Sequence, residues 1–514
     1  MKKFISNIIA IIMIITTINI PLATAESNVN YPPEGNKCGY IFSLKETPNF
    51  DITNDDIIVI SADANVYVSK SIEAIKAIED KVDINFIAEN TPIQPIPIVD
   101  DNLELFSDEI SEPNNTDIPE TTNIPEIDTP VSTETPETTE EPSSTNEPTA
   151  TEEPTTTPLP EHYTNDLLYY QMWHHNAMRD YVYRENDITG KGVKVGVIDT
   201  GIMRDWEDFE GVDIQDGINV CALLDNNEER LHIMGDAHPH GTGVIGNIAA
   251  KINNEKGIAG IVDECTVIPY KVEDTVCSDF ANSGASILKA LQLAYEDGCD
   301  VCNISMGSIG TPSDEEIKIF NSVVNSVTSN GMIIVAATGN EGEVDKYGDL
   351  ANANIYPASC ENVIGVGAVE PNCDSVKLYE DIASGLYTTL DNPHVFDSRR
   401  LVNTYTFDMI NNLERNQYKK CDFSTANDSV FISAPGKEIR TYTYGWEGVA
   451  PYISHMGTSE ATPMVAAAAI GVKQMRPYID TDMFKEILKE TAIDIDGEGY
   501  DVNTGYGMID FEGI

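Results

Sequence analysis

Short apolar runs alternate with amphipathic stretches along the larger, carboxy-terminal part of the chain, from position 161 onward. The apolar runs end in Gly or Asp turns, as buried strands do, and occupy positions 193–199, 266–270, 301–305, 332–337 and 363–367. Between them, positions 286–295 and 315–327 show helical patterns. This alternation predicts an α/β domain with a mainly parallel sheet, helices on both faces, and an active site at the carboxyl ends of the strands.

A second pattern covers residues 36–100. Strand-like runs begin at positions 40, 56, 65 and 84, and apolar residues at 72, 75 and 78 predict a helix before the last run. Together they predict a small α+β domain. Residues 101–160 are instead dominated by Thr, Pro, Glu and Ser, with no Lys or Arg between Lys81 and Arg179. Such a segment cannot bury enough apolar surface to fold, so it is expected to be a disordered, solvated spacer.

The amino terminus resembles an export signal. Lys2 and Lys3 precede an apolar run from Phe4 to about Leu22, and the run ends in a small-residue site before Ala25. This predicts a signal peptide over residues 1–25 that is cut after Ala25. An uncleaved membrane anchor is the alternative, because the run is long and rich in Ile. Either way, the chain is expected outside the cytoplasm, secreted or at the cell surface.

The net charge bears on nucleic-acid binding, and the cysteine content bears on disulfides and zinc. The 514-residue chain has a formal net charge of −54, so nucleic acid is not an expected partner, because its phosphates would be repelled. The nine cysteines are an odd number and cannot pair completely within one chain. Cys299 and Cys302 are spaced as a CxxC pair, but no second pair of this kind completes a zinc site. Both are expected to be small buried residues.

Two motifs bring a carboxylate and an imidazole to the predicted active-site edge. Asp199 ends the first strand of the α/β domain, in the sequence Val-Ile-Asp-Thr-Gly. It could be structural, or it could belong to an aspartic protease, where Asp-Thr-Gly also occurs. His240 opens a helix of small residues and can act as a general base if a carboxylate orients its Nδ1.

Two further motifs bring an amide and a hydroxyl to the same predicted edge. Asn340 follows the strand at 332–337 on a glycine loop, where an amide can stabilise a developing oxyanion. It could also be an ordinary turn residue. Ser459 follows Gly457-Thr at the start of a helix, whose N-terminal N–H groups and dipole favour negative charge. A helix N-cap is the alternative role for this serine.

The four motifs, taken together and in this order, resemble the subtilisin-like (subtilase, peptidase S8) serine protease family over about residues 162–512. The resemblance implies a three-layer α/β fold in which Asp199, His240 and Ser459 form the catalytic triad. It also implies that Asn340 donates to the oxyanion in an acyl-transfer reaction. Three further residues resemble the strand that pairs with substrate, namely Ser305, Met306 and Gly307.

The resemblance also implies a structural calcium ion and an inhibitory pro-domain. Asp208, Asp166 and Asn254 fall where many subtilases place calcium ligands, although such residues are usually just solvated. Residues 26–100 resemble the pro-domain that assists folding and blocks the cleft as an intramolecular inhibitor. The resulting division is a signal peptide over 1–25, a pro-domain over 26–100, a linker over 101–160 and a catalytic domain over 161–514.

Some residues depart from the family pattern. Glu460 stands where the family usually has Met after the nucleophile, Met464 replaces a common His, and Gly243 replaces a frequent second His. Glu460 adds charge beside the nucleophile and could alter substrate choice or the pH profile. An insertion near 371–421 is flanked by Cys373 and Cys421, which could form a disulfide.

The expected function is a secreted serine endopeptidase that is made as an autoprocessed precursor, acts on proteins or peptides, and is monomeric. A protease-like binding or adhesion protein, in which Glu460 and the insertion have ended turnover, is the alternative. An aspartic protease would use Asp199 but would leave the His and Ser motifs unexplained.

Overall fold

The structure, a computed structural model, describes residues 37–48, 52–53, 56–79, 81–95, 163–235, 238–308, 312–372, 417–443 and 452–514. The predicted signal peptide (1–25), the predicted spacer (101–160) and most of the predicted insertion lie outside these residues. Among the described residues, no helix combines the length and apolarity needed to cross a membrane.

The amino-terminal residues form a small α+β unit. Its elements are β1 (Tyr40–Leu44), β2 (Ile57–Ser61), β3 (Val66–Ser69), α1 (Ile72–Lys76), β4 (Ile84–Glu89) and β5 (Ile93–Pro95). Strands β1 to β4 pair antiparallel in the order β2-β3-β1-β4. Side chains alternate between the two faces, so Tyr40 and Phe42 pack in the unit's own core while Ile41 packs against the larger domain.

The larger domain is built on a sheet of parallel strands. Its strands are β6 (Lys194–Asp199), β7 (Asp213–Ile214), β8 (Ile218–Asn219), β9 (Thr266–Lys271), β10 (Val301–Ile304), β11 (Met306–Ser308), β12 (Ile333–Ala337), β13 (Val363–Pro371), β14 (Tyr418–Lys420), β15 (Ile432–Pro435), β16 (Ile439–Tyr442) and β17 (Tyr452–His455). The main sheet runs β14-β13-β12-β10-β6-β9-β7, with β15 beside β13 and β8 beside β9. Only β14 is antiparallel to its neighbour in this sheet, among the described strands.

Helices cover both faces of this sheet. They are α2 (Trp173–Met178), α3 (Tyr181–Glu185), α4 (Val220–Leu224), α5 (His240–Ala249), α6 (Gly284–Glu296), α7 (Asp314–Thr328), α8 (Val344–Tyr347), α9 (Thr458–Met475) and α10 (Thr481–Thr491). Helices α6 and α7 share one apolar core with the amino-terminal unit, whereas α5 and α9 pack in the core on the other face. The three-layer α/β fold preceded by a small α+β unit is therefore confirmed.

Helix α9 lies close to its neighbours because its sequence is rich in small residues. A Cβ added at Gly471 would lie 2.1 Å from the ring of Tyr183, so only glycine leaves room for that ring. The Tyr183 hydroxyl donates to the carbonyl of Ala468, 3.0 Å away on the same helix. This packing fixes the carboxy-terminal half of α9 against α3.

Candidate active site

Asp199 and His240 form a buried hydrogen-bonded pair. Asp199 is the last residue of β6, His240 is the first residue of α5, and each is 1 % exposed. The His240 Nδ1 lies 2.7 Å from Asp199 Oδ1, which also accepts from the backbone N–H of Thr200 at 2.8 Å. The other oxygen of Asp199, Oδ2, is buried and accepts no hydrogen bond from any described residue. The carboxylate therefore fixes the orientation of the imidazole, and its negative charge can stabilise a positive charge on the ring.

The close approach of the two elements depends on glycine after the histidine. A Cβ at Gly241 would lie 2.4 Å from the carbonyl oxygen of Gly201 and 3.1 Å from Asp199 Oδ1. The N–H of Gly241 instead donates to the Thr200 hydroxyl at 3.0 Å. The sequence His-Gly is thus required for the first turn of α5 to reach the loop after β6.

Ser459 lies in the first turn of α9 and is tied to the strand region before β11. Its hydroxyl donates to the Ser305 carbonyl at 3.2 Å, and the Ser305 hydroxyl donates to the Ser459 carbonyl at 2.9 Å. Pro463 explains why that carbonyl is available, since proline has no N–H to complete the helical bond to the residue four positions earlier. The buried serine is therefore held beside the residues predicted to bind substrate.

Asn340 follows β12 and is oriented by Thr458. Its Oδ1 accepts from the Thr458 N–H at 2.9 Å and from the Thr458 hydroxyl at 3.0 Å. Because a backbone N–H can only donate, the acceptor end of the amide must face Thr458 and the donor end must face away. The Nδ2 lies 3.0 Å from the position that a Cβ of Gly457 would occupy, and the Ser459 N–H lies 3.5 Å from it. Two donors thus converge beside Gly457.

The predicted substrate residues are covered by the chain's own amino-terminal unit. Strand β5 pairs antiparallel with β11, with Pro95 opposite Met306 and Gln94 opposite Gly307. Ser305, which precedes β11, is fully buried. The backbone of β11 can therefore pair with an extended peptide, and here that peptide is part of the same chain.

A buried carboxylate on α7 holds the segment that leads into β5. Glu316 is 2 % exposed and accepts from the Thr91 N–H at 3.0 Å and from the Thr91 hydroxyl at 2.5 Å. Burial raises the pKa of Glu316 to about 7, although the two Thr91 hydrogen bonds oppose the shift. No motif in the sequence marks Thr91 or Glu316, because their contact joins distant segments of the chain.

The predicted calcium residues lie together but do not fit a calcium ion as they are arranged. Asp208 accepts from Asn254 Nδ2 at 3.3 Å on one oxygen, and from the Ile258 N–H at 3.1 Å and the Tyr452 hydroxyl at 2.7 Å on the other. Both oxygens of Asp166 accept from backbone N–H groups. Calcium takes six to eight oxygen ligands, whereas these carboxylates already face donors. The described residues contain no cluster of three or more His, Cys, Asp or Glu suited to a metal.

Seven cysteines of the described part of the chain have free thiols. Free thiols are found at Cys221, Cys265, Cys277, Cys299, Cys302, Cys360 and Cys421. Cys373 lies outside the described residues, but Cys421 is a free thiol, so the predicted Cys373–Cys421 bridge is not formed in this structure. Cys299 and Cys302 are buried, as expected for small apolar residues.

The sequence and the fold are similar to those of known proteases. The sequence model of the Subtilase family matches residues 190–508, more than half of the chain. The chain is 30 % identical over 305 residues to subtilisin BL of Lederbergia lenta, covering 59 % of this chain and 85 % of that protein. It is 28 % identical over 325 residues to the minor extracellular protease Epr of Bacillus subtilis strain 168, covering 63 % of this chain but 39 % of Epr.

A solved structure supports the fold alone. The crystal structure of fervidolysin from Fervidobacterium pennivorans, described as a keratinolytic enzyme related to subtilisin, superposes with a TM-score of 0.60 at 18 % identity. The superposition covers 94 % of this chain and 60 % of fervidolysin. The chain thus spans well under half of Epr and about three fifths of fervidolysin.

Proposed function

The chain belongs to the subtilase family, and from that premise we propose that it is a serine endopeptidase with Asp199, His240 and Ser459 as its catalytic triad. The observation that carries the proposal is the buried 2.7 Å contact between His240 Nδ1 and Asp199 Oδ1, at the same edge of the sheet as Ser459. This contact also argues against an aspartic protease, because Asp199 orients an imidazole.

In the proposed reaction, the Ser459 hydroxyl attacks the peptide carbonyl and His240 accepts its proton. The hydroxyl must turn from the Ser305 carbonyl, to which it donates in this structure, toward the imidazole. Asp199 holds His240 in the tautomer with hydrogen on Nδ1 and stabilises the imidazolium that forms. His240 then protonates the leaving amine, and water releases the acyl group from Ser459 by the same route in reverse.

The negative oxygen of the tetrahedral intermediate is proposed to lie beside Gly457, between Asn340 Nδ2 and the Ser459 N–H. Thr458 keeps the Asn340 amide in the donating orientation before substrate arrives. Donors that are preorganised in this way need no rearrangement during the reaction, and each contributes on the order of a hundredfold to the rate.

The amino-terminal unit is proposed to be an inhibitory pro-domain. Three contacts support this role: the shared core with α6 and α7, the bond from Thr91 to Glu316, and the pairing of β5 with β11. A segment that occupies the substrate strand blocks other peptides, so activity requires cleavage beyond Pro95 and release of this unit. We propose that the chain is exported as this latent precursor and acts outside the cell as a monomer.

The test compares the exported chain with Ser459→Ala and with Ser329→Ala as a control. Ser329 is exposed at the end of α7, away from the carboxyl ends of the strands. We expect the wild type and Ser329→Ala to cleave a denatured protein and to process themselves, whereas Ser459→Ala does neither. Sequencing the new amino terminus locates the maturation site.

The alternative, a protease-like binding protein, predicts a different result. If Ser459→Ala and the wild type behave alike, and a serine-directed phosphonate fails to label Ser459 in the wild type, the chain is not a serine protease. Maturation would then depend on another enzyme.

A further inference from the structure

The amino-terminal unit binds the starts of two neighbouring helices through two consecutive residues. Asn90 binds the start of α6: its Oδ1 accepts from the N–H of Ala285 at 3.1 Å, and its Nδ2 donates to the Ser283 hydroxyl at 2.7 Å. Thr91 binds the start of α7, where Glu316 accepts from both its N–H and its hydroxyl. The Asn90 amide cannot ionise, whereas the Glu316 carboxyl can. Of these two attachments, the second is therefore the one that can respond to pH.

The surroundings of the Glu316 carboxyl group depend on the attached unit. Glu316 is 2 % exposed, and its helix α7 packs against β1 and β4 of the unit. Thr91 of the unit supplies a donor to each carboxyl oxygen. Detachment removes both donors and exposes the carboxyl group to water, which stabilises its ionised form. The attached and detached forms of the chain therefore bind the proton of Glu316 with different affinities.

The pKa of Glu316 gives the direction of the pH dependence. Burial in the attached form raises this pKa from its ordinary value of 4.5 to about 7, and the Thr91 hydrogen bonds only partly oppose the shift. In the detached form the carboxyl group meets water, so its pKa is expected to return toward the ordinary value. Attachment is then strongest below pH 4.5 and weakens as the pH rises through 7. Between pH 6 and pH 8 this linkage weakens the attachment about tenfold.

We propose that Glu316 is a pH-dependent latch for the amino-terminal unit, which is held tightly in acid and released more readily as the pH rises. This inference rests on the proposed role of the unit as an inhibitory pro-domain and adds a condition for its release. Thr91 lies two residues before β5, which covers the substrate strand β11. Because the latch is next to the blocking strand, a weaker bond at Glu316 favours the uncovering of β11. The precursor is therefore kept latent in acid and is activated more readily at neutral to alkaline pH.

Other ionisable and charged groups surround Glu316. It interacts electrostatically with Glu89 at the end of β4 and with Cys38 before β1, and burial raises the pKa of the Cys38 thiol. On α7 itself, the Lys318 Nζ lies 4.9 Å from the centroid of the Phe86 ring of the unit. Further charged or ionisable side chains on the surrounding segments are Lys37, Asp279, Asp314, Glu315 and Tyr356. A pH profile of one protein would mix these contributions, whereas a variant at Glu316 isolates its own.

The experiment measures amide hydrogen exchange in the full chain at pH 6 and pH 8, with Ser459→Ala in every protein to keep the chain unprocessed. Glu316→Gln is the test variant, because glutamine has nearly the same shape and cannot ionise. Asp314→Asn is the matched control, because Asp314 is exposed in the same turn of α7. The N–H groups of Thr91 and Gly284 report detachment, since the first donates to Glu316 and the second to the Thr91 carbonyl at 2.7 Å.

Comparing two proteins at the same pH cancels the chemical rate of exchange, so the ratio of their rates reports the opening equilibrium. We expect the ratio of the rate with glutamate at position 316 to the rate in Glu316→Gln to rise about tenfold from pH 6 to pH 8. Asp314→Asn should behave as the parent protein does. An unchanged ratio, or the same effect in Asp314→Asn as in Glu316→Gln, overturns the inference. Thermal unfolding checks that each variant folds, and Glu316→Met, which is also uncharged, replaces the Gln variant if that variant does not.

A second readout uses the chain with Ser459 intact. The delay before it cleaves a peptide substrate should shorten from pH 6 to pH 8, and it should shorten less in Glu316→Gln. Equal shortening in the two proteins would contradict the latch. If the chain with Ser459 neither cleaves a substrate nor is labelled by a serine-directed phosphonate, the protease proposal fails. The exchange measurement does not depend on turnover, so it still decides whether Glu316 holds the unit in a pH-dependent way.

Discussion

Two buried aspartates of the larger domain, Asp199 and Asp208, lie near each other in the chain but in opposite hydrogen-bonding environments. Asp199 accepts on one oxygen, from His240 and Thr200, while its other oxygen accepts from no described residue. Asp208 accepts on both oxygens, from Asn254, Ile258 and Tyr452. The second oxygen of Asp199 can interact with a positive charge that forms on His240. Both oxygens of Asp208 already accept hydrogen bonds.

The difference shows how partners decide what a buried carboxylate can do. Burial raises the pKa of Asp208 to about 6, and the hydrogen bonds from Tyr452, Ile258 and Asn254 only partly oppose the shift. Those bonds join the segment after β6, the loop before β9 and strand β17, so Asp208 stabilises the fold. Asp199 faces an imidazole, which can change its charge during a reaction. Sequence motifs alone do not separate the two cases.

The same change at both aspartates should give the largest difference in activity. Asp199→Asn presents an amide to His240, which favours the wrong imidazole tautomer, so kcat should fall on the order of 10⁴-fold. Asp208→Asn should keep kcat within about threefold, since Asp208 contacts none of the proposed catalytic residues in the described structure. Steady-state kinetics on a peptide substrate measures both values. Equal losses in the two variants would remove the functional distinction between the aspartates.

The free energy of unfolding should depend on pH through Asp208, and this dependence should be absent when a residue that cannot ionise stands at position 208. A folded-state pKa of about 6, above the ordinary value of 3.8, means that the folded chain holds this proton more tightly than the unfolded chain. The resulting stabilisation is fully present below pH 3.8 and is lost as the pH rises through 6. At about 1.4 kcal/mol per pH unit, the change is on the order of 3 kcal/mol.

Thermal or urea unfolding of the wild type and Asp208→Asn at pH 4 and pH 7 tests this value. The asparagine variant cannot titrate at this position, so it should become more stable relative to the wild type as the pH rises. Parallel stability curves for the two proteins would show that Asp208 has the same proton affinity in the folded and unfolded chains.

Glu316 provides a third buried carboxylate, and its partner belongs to the amino-terminal unit. Thr91→Val in the Ser459→Ala background removes the hydroxyl that donates to Glu316 but keeps the backbone N–H. We expect a loss of about 1–2 kcal/mol in stability, seen as a lower Tm of the unprocessed chain. Thr47→Val is the matched control, because Thr47 is exposed and its hydroxyl donates to Asn65 of the same unit. Equal Tm values for the two variants would mean that the Thr91 hydroxyl does not stabilise the attachment.

The sequence predicted the main strands and helices closely, because each has a continuous apolar pattern. The run at 266–270 corresponds to β9, and the patterns at 286–295 and 315–327 correspond to α6 and α7. The short pairs β7–β9, β8–β9 and β16–β17 were not predicted, since two to four residues carry too little periodicity. Helix α10 was also missed, although Asp480 caps its start by accepting from the N–H of Met483.

The candidate site was predicted in part. The motifs around Asp199, His240, Asn340 and Ser459 stand out because glycine and small residues surround them. The orienting role of Thr458 was missed, although it lies between Gly457 and Ser459 in a motif that the sequence marks. The calcium residues were grouped correctly in space, but Tyr452, which donates to Asp208 from a distant strand, could not be anticipated from their spacing.

The sequence by itself determined the order of elements, the family and the residues available for chemistry, because these depend on local patterns of apolar, small and polar residues. Only the tertiary structure decided which hydrogen-bond donors reach each carboxylate. It therefore decided that Asp208 accepts on both oxygens and that Asp199 accepts on one. It also decided that β5 covers β11 and that Asn340 Nδ2 and the Ser459 N–H converge beside Gly457. These contacts join segments far apart in the chain, where a shift of one ångström makes or breaks a hydrogen bond and no short-range pattern records the distance.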